Sequence, residues 1–332
     1  MATYKKQCYL LMTTDPVHIG TGGYRLGRVD NSIVREPGTR LPKIPGTSLH
    51  GAARSYAAYL YEKPQCAGQG KQGSSQHCGR PDCPICYTFG YLKGKAMSSG
   101  VVNIFDAHIL LFPVHSILGP VWVSTPQCLR DVEFAGIPEG TLSDTQCWTT
   151  PRLKTENLRL NLGWLMLDVA DQVQVQVEPP SASNWKGQPA WNAIQDRIVL
   201  VSESLFPHIV NSNLEVRTSV AIDPKRGAAE EGMLFTYEAL PRATFLTVEI
   251  VLDDYRREGE FWPLGEVKET EQKNGKSKPL PGGSWNDPLD VVRAGLKMIE
   301  WLGVGGMGTR GFGRLAIVGE HREQAYGKEE WQ

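Results

Sequence analysis

The 332-residue sequence is short of several things, and each shortage excludes a class of protein. No apolar run approaches the roughly 18 residues that a membrane-spanning helix requires. The N-terminal stretch MATYKKQCYLLMTTDPV holds only a five-residue apolar run, too short for a secretory leader. Both shortages favour a cytoplasmic protein without membrane contact. Net charge is equally scarce. Thirty-five Lys and Arg against 36 Asp and Glu leave −1, whereas a general nucleic-acid binder is basic throughout. The pattern GxxxxGK[ST] is absent, and no strand runs directly into a glycine loop. Walker-type and dinucleotide-type phosphate sites are therefore excluded. There is no long internal repeat.

What is present is unevenly placed. Residues 18–54 carry six cations (Arg25, Arg28, Arg35, Arg40, Lys43 and Arg54) against two acids, Asp30 and Glu36. A polyanion would therefore meet one face of the molecule, not all of it. Cysteines are clustered as well. Four of the seven lie between residues 66 and 86, which in a reducing compartment points to metal before disulfides. The remaining three, Cys8, Cys128 and Cys147, are scattered and read as packed thiols.

Periodicity predicts a strand over 6–15, ended by Pro16, and a helix over 46–63 with Thr47 or Ser48 as N-cap and Leu49, Ala52, Ala53, Tyr56 and Leu60 on one face. A strand over 100–112 is expected to close at Pro113, and TFLTVEIVL (244–252) alternates as another. In NDPLDVVRAGLKMIEWLG, Asp287 caps, Pro288 opens the helix, and Gly303 ends it. Leu289, Val292, Leu296 and Ile299 form its stripe, and Trp301 is expected in the core. A last strand follows over 314–319. Strand, helix, strand, insertion, strand, helix, strand is an α+β pattern, a ferredoxin-like (RRM-like) βαββαβ core in one domain spanning 1–332. Three insertions stretch it: a cysteine knuckle at 64–90, a protruding hairpin at 211–240 around a DPKRG turn, and a mobile polar loop at 265–285.

Three segments carry chemistry. GVGGMGTRGFGR (303–314) is half glycine and flanked by Arg310 and Arg314, so its backbone can approach a sugar-phosphate chain closely. PKIPGTSLHGAAR (42–54) turns sharply into a helix N-terminus, where free N–H groups attract anions and Ser48, His50 and Arg54 fall in the first two turns. CAGQGKQGSSQHCGRPDCPIC has the spacing C-x11-C-x4-C-x2-C. Cys78, Cys83 and Cys86 suit structural zinc, with Cys66 or His77 as fourth ligand. Four filled positions leave no open site, so the ion would staple an insertion too small for its own core. His108 and His115 flank a strand and read as structural.

Taken together, HIGTG…GRVDNSIVREPGTRLPKIPGTSLHGAARS, FDAHILLFPVHS, SVAIDPKRGAAEEGMLFTYEALPRAT and GGMGTRGFGRL resemble the RAMP-superfamily backbone subunit of type III CRISPR effector complexes. The long form of the type III-B (Cmr) branch is closest, while the cysteine insertion is similar to type III-D and III-E relatives. The resemblance runs from about residue 8 to about residue 318. It implies several stacked copies along a CRISPR guide RNA, other effector subunits as partners, and cleavage of complementary single-stranded target RNA. Asp30, in GRVDNSIVRE, takes the place of the family's catalytic aspartate. RNA brings its own nucleophile, the 2′-OH, so the chain would supply in-line geometry and charge neutralisation with Mg2+ or Mn2+ held at Asp30. The hairpin would be a thumb that presents a flipped nucleotide to Asp30. The RNA contacts expected on this reading are His18, Arg28, Arg35, Lys43, Ser48, His50, Arg54, Lys225, Arg226, Gly305, Gly306, Gly308 and Arg310. Two other readings stand beside it: a subunit that coats guide RNA without cutting, and a metal-independent nuclease that processes precursor RNA with His18 or His50 as acid or base.

Overall fold

The computed structural model describes residues 4–22, 29–68, 77–80, 82–153, 159–170, 175–254, 270–273, 276–279, 285–321 and 324–326. CYLLM, the near-continuous apolar run of β1 (Tyr4–Thr13), implies a strand buried on both faces, and that is where it lies. Tyr9 and Leu11 point into one core and Leu10 into another. The chain continues through β2 (Lys43–Ile44), α1 (Gly46–Leu60), α2 (Pro84–Phe89), β3 (Gly90–Lys93), β4 (Ala96–Ser99), β5 (Val102–Ile104) and β6 (Ala107–Ser116). Next come β7 (Gly119–Ser124), α3 (Pro126–Asp131), β8 (Gln146–Thr149), β9 (Arg159–Leu162), β10 (Leu165–Val169), α4 (Pro189–Asn192), β11 (Ile198–Leu200) and α5 (Phe206–Ser212). The chain then forms β12 (Glu215–Asp223), β13 (Ala228–Ala239), β14 (Phe245–Asp253), β15 (Thr270–Lys273), β16 (Lys276–Pro279), α6 (Pro288–Leu302), β17 (Leu315–Glu320) and β18 (Gln324–Tyr326).

One mixed sheet runs in the order β17-β1-β14-β6-β7-β11-β8-β10-β9, with β18, β2 and β5 joined at its sides. The steps β17-β1, β1-β14 and β14-β6 are all antiparallel. α1 and α6 pack against each other over one face, where Leu49, Ala53, Ala57, Val292 and Leu296 meet Leu246, Val248 and Ile250. The helices come so close that a Cβ at Gly295 would stand 2.2 Å from the Ala53 carbonyl oxygen. Trp148, Trp185, Trp191, Phe134 and Phe245 fill the opposite face.

α6 forms as its sequence predicts. The Asp287 carboxylate accepts from the Leu289 and Asp290 amides, Asp290 completes a capping box, and Gly303 closes the helix with φ +79°. Three local expectations change. α1 begins at Gly46 and has no side-chain cap from Thr47 or Ser48; instead Asp106 Oδ1 accepts from the Gly46 amide at 2.7 Å. The strand expected at 100–112 splits into β5 and β6 around Phe105–Asp106, and that break is what frees Asp106 to cap. β6 also passes through Pro113. Its pairing with β14 ends at Leu111, so the missing N–H faces no ladder on that side.

The hairpin is β12 paired to β13 over Glu215–Ala239, with the turn closed by the Gly227 amide on the Asp223 carbonyl at 2.8 Å. Its expected first residues, 211 and 212, belong to α5. Within the polar stretch 265–285, β15 and β16 pair; the rest of that stretch, apart from Trp285, lies outside the described residues. Trp301 is not in the core: it is 76% exposed at the end of α6. The apolar stripe of α6 is already complete without it, and residues 300–302 all face outward.

Candidate functional site

Asp30 is exposed and held from one side. Its Oδ2 accepts from the Thr236 amide at 2.7 Å and from the Thr236 hydroxyl at 2.8 Å, and its own amide donates to Thr236 Oγ1 at 3.1 Å. The Thr236 amide, then its hydroxyl, hold the Asp30 carboxyl below the ordinary carboxylate range. Among the described residues, Oδ1 accepts no hydrogen bond. The carboxylate is therefore ionised, aimed by the root of the hairpin, and open on one side. Pairing with Arg35, the ordinary alternative for a lone acid in a basic loop, is not what forms. Arg28 lies outside the described residues.

β13 ties this carboxylate to the glycine loop. Tyr237 packs edge-on against Phe312 with ring centroids 5.4 Å apart, and His18 lies edge-on to Tyr237 at 6.2 Å. His18 Nδ1 is 2.6 Å from the Glu238 carbonyl oxygen, and the His18 carbonyl accepts from the Gly306 amide at 2.9 Å. A Cβ at Gly305 (φ +86°) would stand 2.5 Å from that same carbonyl oxygen, so this glycine is demanded by packing on His18. Gly308 is exposed, and a Cβ there would meet only the Leu302 carbonyl oxygen, at 4.0 Å. It lines a cleft of about 410 Å3 with Thr47, Ser48, Ser55, Leu302 and Gly305. Tyr56 Oη donates to the Gly303 carbonyl at 2.6 Å and fixes α1 to the loop's start. The fold thus gathers Asp30, His18, Ser48 and the glycines. Arg310 sits exposed on the loop and forms no ion pair among the described residues.

Four expected RNA contacts have other occupations. Arg54 is 9% exposed and donates Nε to the Cys66 carbonyl at 2.8 Å and Nη1 to the Phe89 carbonyl at 3.2 Å, with Nη2 2.9 Å from His77 Nε2. It is a buried cation that joins α1 to the cysteine insertion, with all three of its nitrogens engaged inside the protein and little of it reaching solvent. Arg35 donates to Glu238 Oε2 and to Asn211 Oδ1, each at 2.8 Å. Lys43 bridges Glu36 at 2.7 Å and Asp106 at 2.5 Å. His50 stands edge-on to Phe89 at 5.1 Å, and burial, then the Arg54 charge, push its pKa down, which leaves it neutral at pH 7. The reason is common to all four: each has an acid, carbonyl or ring within reach, and pairing inside the protein removes it from solvent. The Asp106 carboxylate at the Gly46 amide likewise takes the place expected for an RNA phosphate at that helix N-terminus.

Lys225 and Arg226 are exposed at the hairpin's turn. Thr236 pairs with Thr218, and five residues of β12 separate Thr218 from Asp223 at the turn, roughly 17 Å at strand rise, so Lys225 and Arg226 cannot share a phosphate with Asp30. The residues that the sequence reading missed are Thr236, Glu238, Asn211 and Asp106. For the first two a signal existed: in FTYEAL they stand two apart, which puts both on one face of β13.

The cysteine cluster closes on itself. The sulfurs of Cys66, Cys78, Cys83 and Cys86 all lie within 4.8 Å of one another, with Cys66–Cys86 at 3.7 Å, Cys66–Cys83 at 4.0 Å and Cys78–Cys86 at 3.6 Å. Sulfurs around a tetrahedral ion with bonds of about 2.3 Å stand about 3.8 Å apart, so the donor set fits zinc. His77 is not the fourth ligand, because its ring lies between Arg54 and the Leu92 amide. Hydrogen bonds from the Cys83 and Cys86 thiols pull Cys66 down to about 4, which favours a thiolate. By contrast, burial pushes Cys8 and Cys147 up to about 12, and they stay protonated.

The site thus joins a loop of glycines beside a helix N-terminus to a single aimed carboxylate, on a sheet that carries the α1–α6 pair on one face. Comparison with known proteins identifies the family. The model of the RAMP superfamily matches residues 10–316, and the chain belongs to that superfamily. The CRISPR system Cmr endoribonuclease Cmr4 of Pyrococcus furiosus is 28% identical over 270 residues, covering 77% of this chain and 85% of the relative. The Cms endoribonuclease Csm3 of Methanothermobacter thermautotrophicus is 37% identical over 86 residues, 25% of this chain and 32% of its own. The fold is shared with a chain of the type III-B Cmr-beta complex in its apo state (TM-score 0.59, 15% identity, 94% of this chain and 97% of that one). It is shared too with oligomeric Cmr4 from Pyrococcus furiosus (TM-score 0.54, 20% identity, 97% and 99%). Among the described residues, no helix is long and apolar enough to cross a membrane.

Proposed function

We propose that this chain is the endoribonuclease backbone subunit of a type III-B-like CRISPR effector: it binds guide RNA and cuts complementary target RNA at Asp30. The observation that carries the assignment to Asp30 is its geometry, one oxygen gripped by Thr236 and the other open at the hairpin's root. Asp30 would hold a divalent cation such as Mg2+ or Mn2+, which would supply charge neutralisation at the phosphodiester. Thr236 keeps Asp30 ionised, so the residue serves as an anionic anchor and is a poor store for a proton at neutral pH. The target's 2′-OH attacks the adjacent phosphorus, the P–O5′ bond breaks, and a cyclic phosphate and a 5′-hydroxyl result. Gly306, Gly308, Ser48 and Arg310 form the cradle for the guide backbone, and the hairpin acts as the thumb.

Three further assignments belong to this reading. The βαββαβ core is ferredoxin-like, built of β1, α1, β6, β14, α6 and β17, which the antiparallel order β17-β1-β14-β6 under two helices supports. The four cysteines hold structural zinc. Reduced thiols and an RNA substrate fit a cytoplasmic location, with guide RNA, target RNA, further copies of the chain and other effector subunits as partners.

The test is reconstitution with guide RNA and the variant Asp30→Ala. Loss of target cleavage with guide RNA still bound supports the reading. Cleavage at the normal rate moves the chemistry to another residue. A complex that never cuts, even with Asp30 intact, supports the coating reading instead.

A further inference from the structure

Beside the Asp30 segment runs a groove of about 1010 Å3, with no residue of the glycine loop in its lining. One wall is the segment itself, through Ser32, Ile33, Val34 and Arg35; the other is the β9–β10 turn with Trp164 and Leu165. Sites for drug-sized ligands measure roughly 300–1,000 Å3, so this groove is larger than one base needs. Trp164 is 78% exposed, an unusual setting for the side chain with the most apolar surface to hide. It is not loosely placed. Asn161 Nδ2 donates to the Gly163 carbonyl at 3.0 Å, and the Gly163 amide donates to the His115 carbonyl at 2.9 Å. The turn's backbone is therefore held in place, and it presents the Trp164 ring at the groove's lip.

The charges lining the groove are those a polyanion needs. Arg40 and His208 are exposed, and among the described residues the Arg40 guanidinium has no ion pair. Glu238 is the single carboxylate in the lining, and Arg35 neutralises it at 2.8 Å. An aromatic platform next to an unpaired cation, here Arg40, is the combination by which proteins hold single-stranded nucleic acid without reading its sequence: bases stack and the backbone follows the charge. A protein partner would favour a wider apolar surface. The other exposed apolar side chains of this region, Ile117 and Met166, do not line the groove.

We infer that this groove is a track for single-stranded target RNA next to the cleavage point, with a base stacked on Trp164 and a phosphate at Arg40. The inference rests on the proposed function, and it adds a second RNA contact surface to the glycine-loop cradle.

The test uses chain assembled with guide RNA and a target strand whose 2′-hydroxyls are replaced by fluorine, so that binding is read without cutting and does not depend on which residue cuts. Trp164→Ala is expected to weaken target RNA about 10-fold, the scale of one lost base stack, and Trp164→Phe to stay within about 2-fold. Arg40→Gln is expected to lower the salt dependence of target binding by about one unit of slope. Guide RNA affinity and thermal stability stay as before in all three, because Trp164 and Arg40 are exposed. Unchanged target affinity in Trp164→Ala overturns the inference. So does a change in assembly mass with target affinity intact, which would make the groove a protein interface. A parent chain that binds no guide RNA sinks the effector reading first, and this one with it.

Discussion

Asp30 and Arg54 belong to one basic stretch of sequence, and their fates differ completely. Asp30 is exposed, holds one fixed partner, and keeps an oxygen open among the described residues. Arg54 is buried with three of its nitrogens engaged by Cys66, Phe89 and His77. The first arrangement leaves chemistry available at some cost in order; the second spends its charge on holding two pieces of chain together. Buried charge of that kind persists only where hydrogen bonds offset its desolvation. The contrast separates function from framework in a region where composition treats every cation alike.

The strongest attempt to break this contrast is the exchange of the two residues' expected roles by mutation. Asp30→Ala is expected to lower target cleavage on the order of 10²–10⁴-fold, read by single-turnover cutting of labelled RNA, with the melting temperature unmoved. Arg54 should behave in the opposite way, and so should the cluster it supports. Stripping metal, or Cys86→Ser, is expected to release about one zinc per chain and to cost about 5 kcal/mol, a fall of about 10 °C in melting temperature. Elemental analysis and calorimetry read both. Arg54→Met leaves two buried carbonyls without donors and is expected to cost about 2–4 kcal/mol. A melting temperature equal to that of the parent chain would mean that Arg54 is free for RNA after all.

Smaller effects sharpen the same distinction. Thr236→Val keeps the backbone hydrogen bond to Asp30 and removes the hydroxyl. Cleavage should fall about 10-fold with guide binding unchanged, and Thr236→Ser should restore it. The pH profile gives the sign. A depressed carboxyl pKa leaves Asp30 charged above it, so activity is lost only as pH falls below the ordinary carboxylate range. In Thr236→Val that acid limb moves up toward the ordinary value. An acid limb that stays in place would detach the limb from Asp30. Last, Arg310→Gln should weaken guide RNA several-fold and reduce the salt slope by about one, with no change in stability.

Local signals carried much of this in advance. α6 was legible from cap to cap because Asp287, Pro288, the Leu289–Ile299 stripe and Gly303 act within one helix and need nothing distant. The spacing of Cys78, Cys83 and Cys86 was legible for the same reason, while the choice of Cys66 over His77 required knowing that Arg54 stands beside the imidazole. β5 and β6 were read as one strand because the break at Phe105–Asp106 serves α1, which lies some sixty residues earlier in the chain. The wide extension of the sheet by β7 to β11 left little trace in the sequence, since its strands are only three to six residues long.

The sequence by itself determined the superfamily, the two helices, the strands of the central unit, the cysteine cluster and the aspartate worth testing. Tertiary structure alone decided which charges remain available. Arg35, Lys43 and Arg54 found partners at Glu238, Asp106 and the Cys66 carbonyl, up to about two hundred residues away. Arg40 and Arg310 formed no ion pair among the described residues. A side chain's charge is written locally, but its desolvation and pairing depend on what the fold brings within about 3 Å.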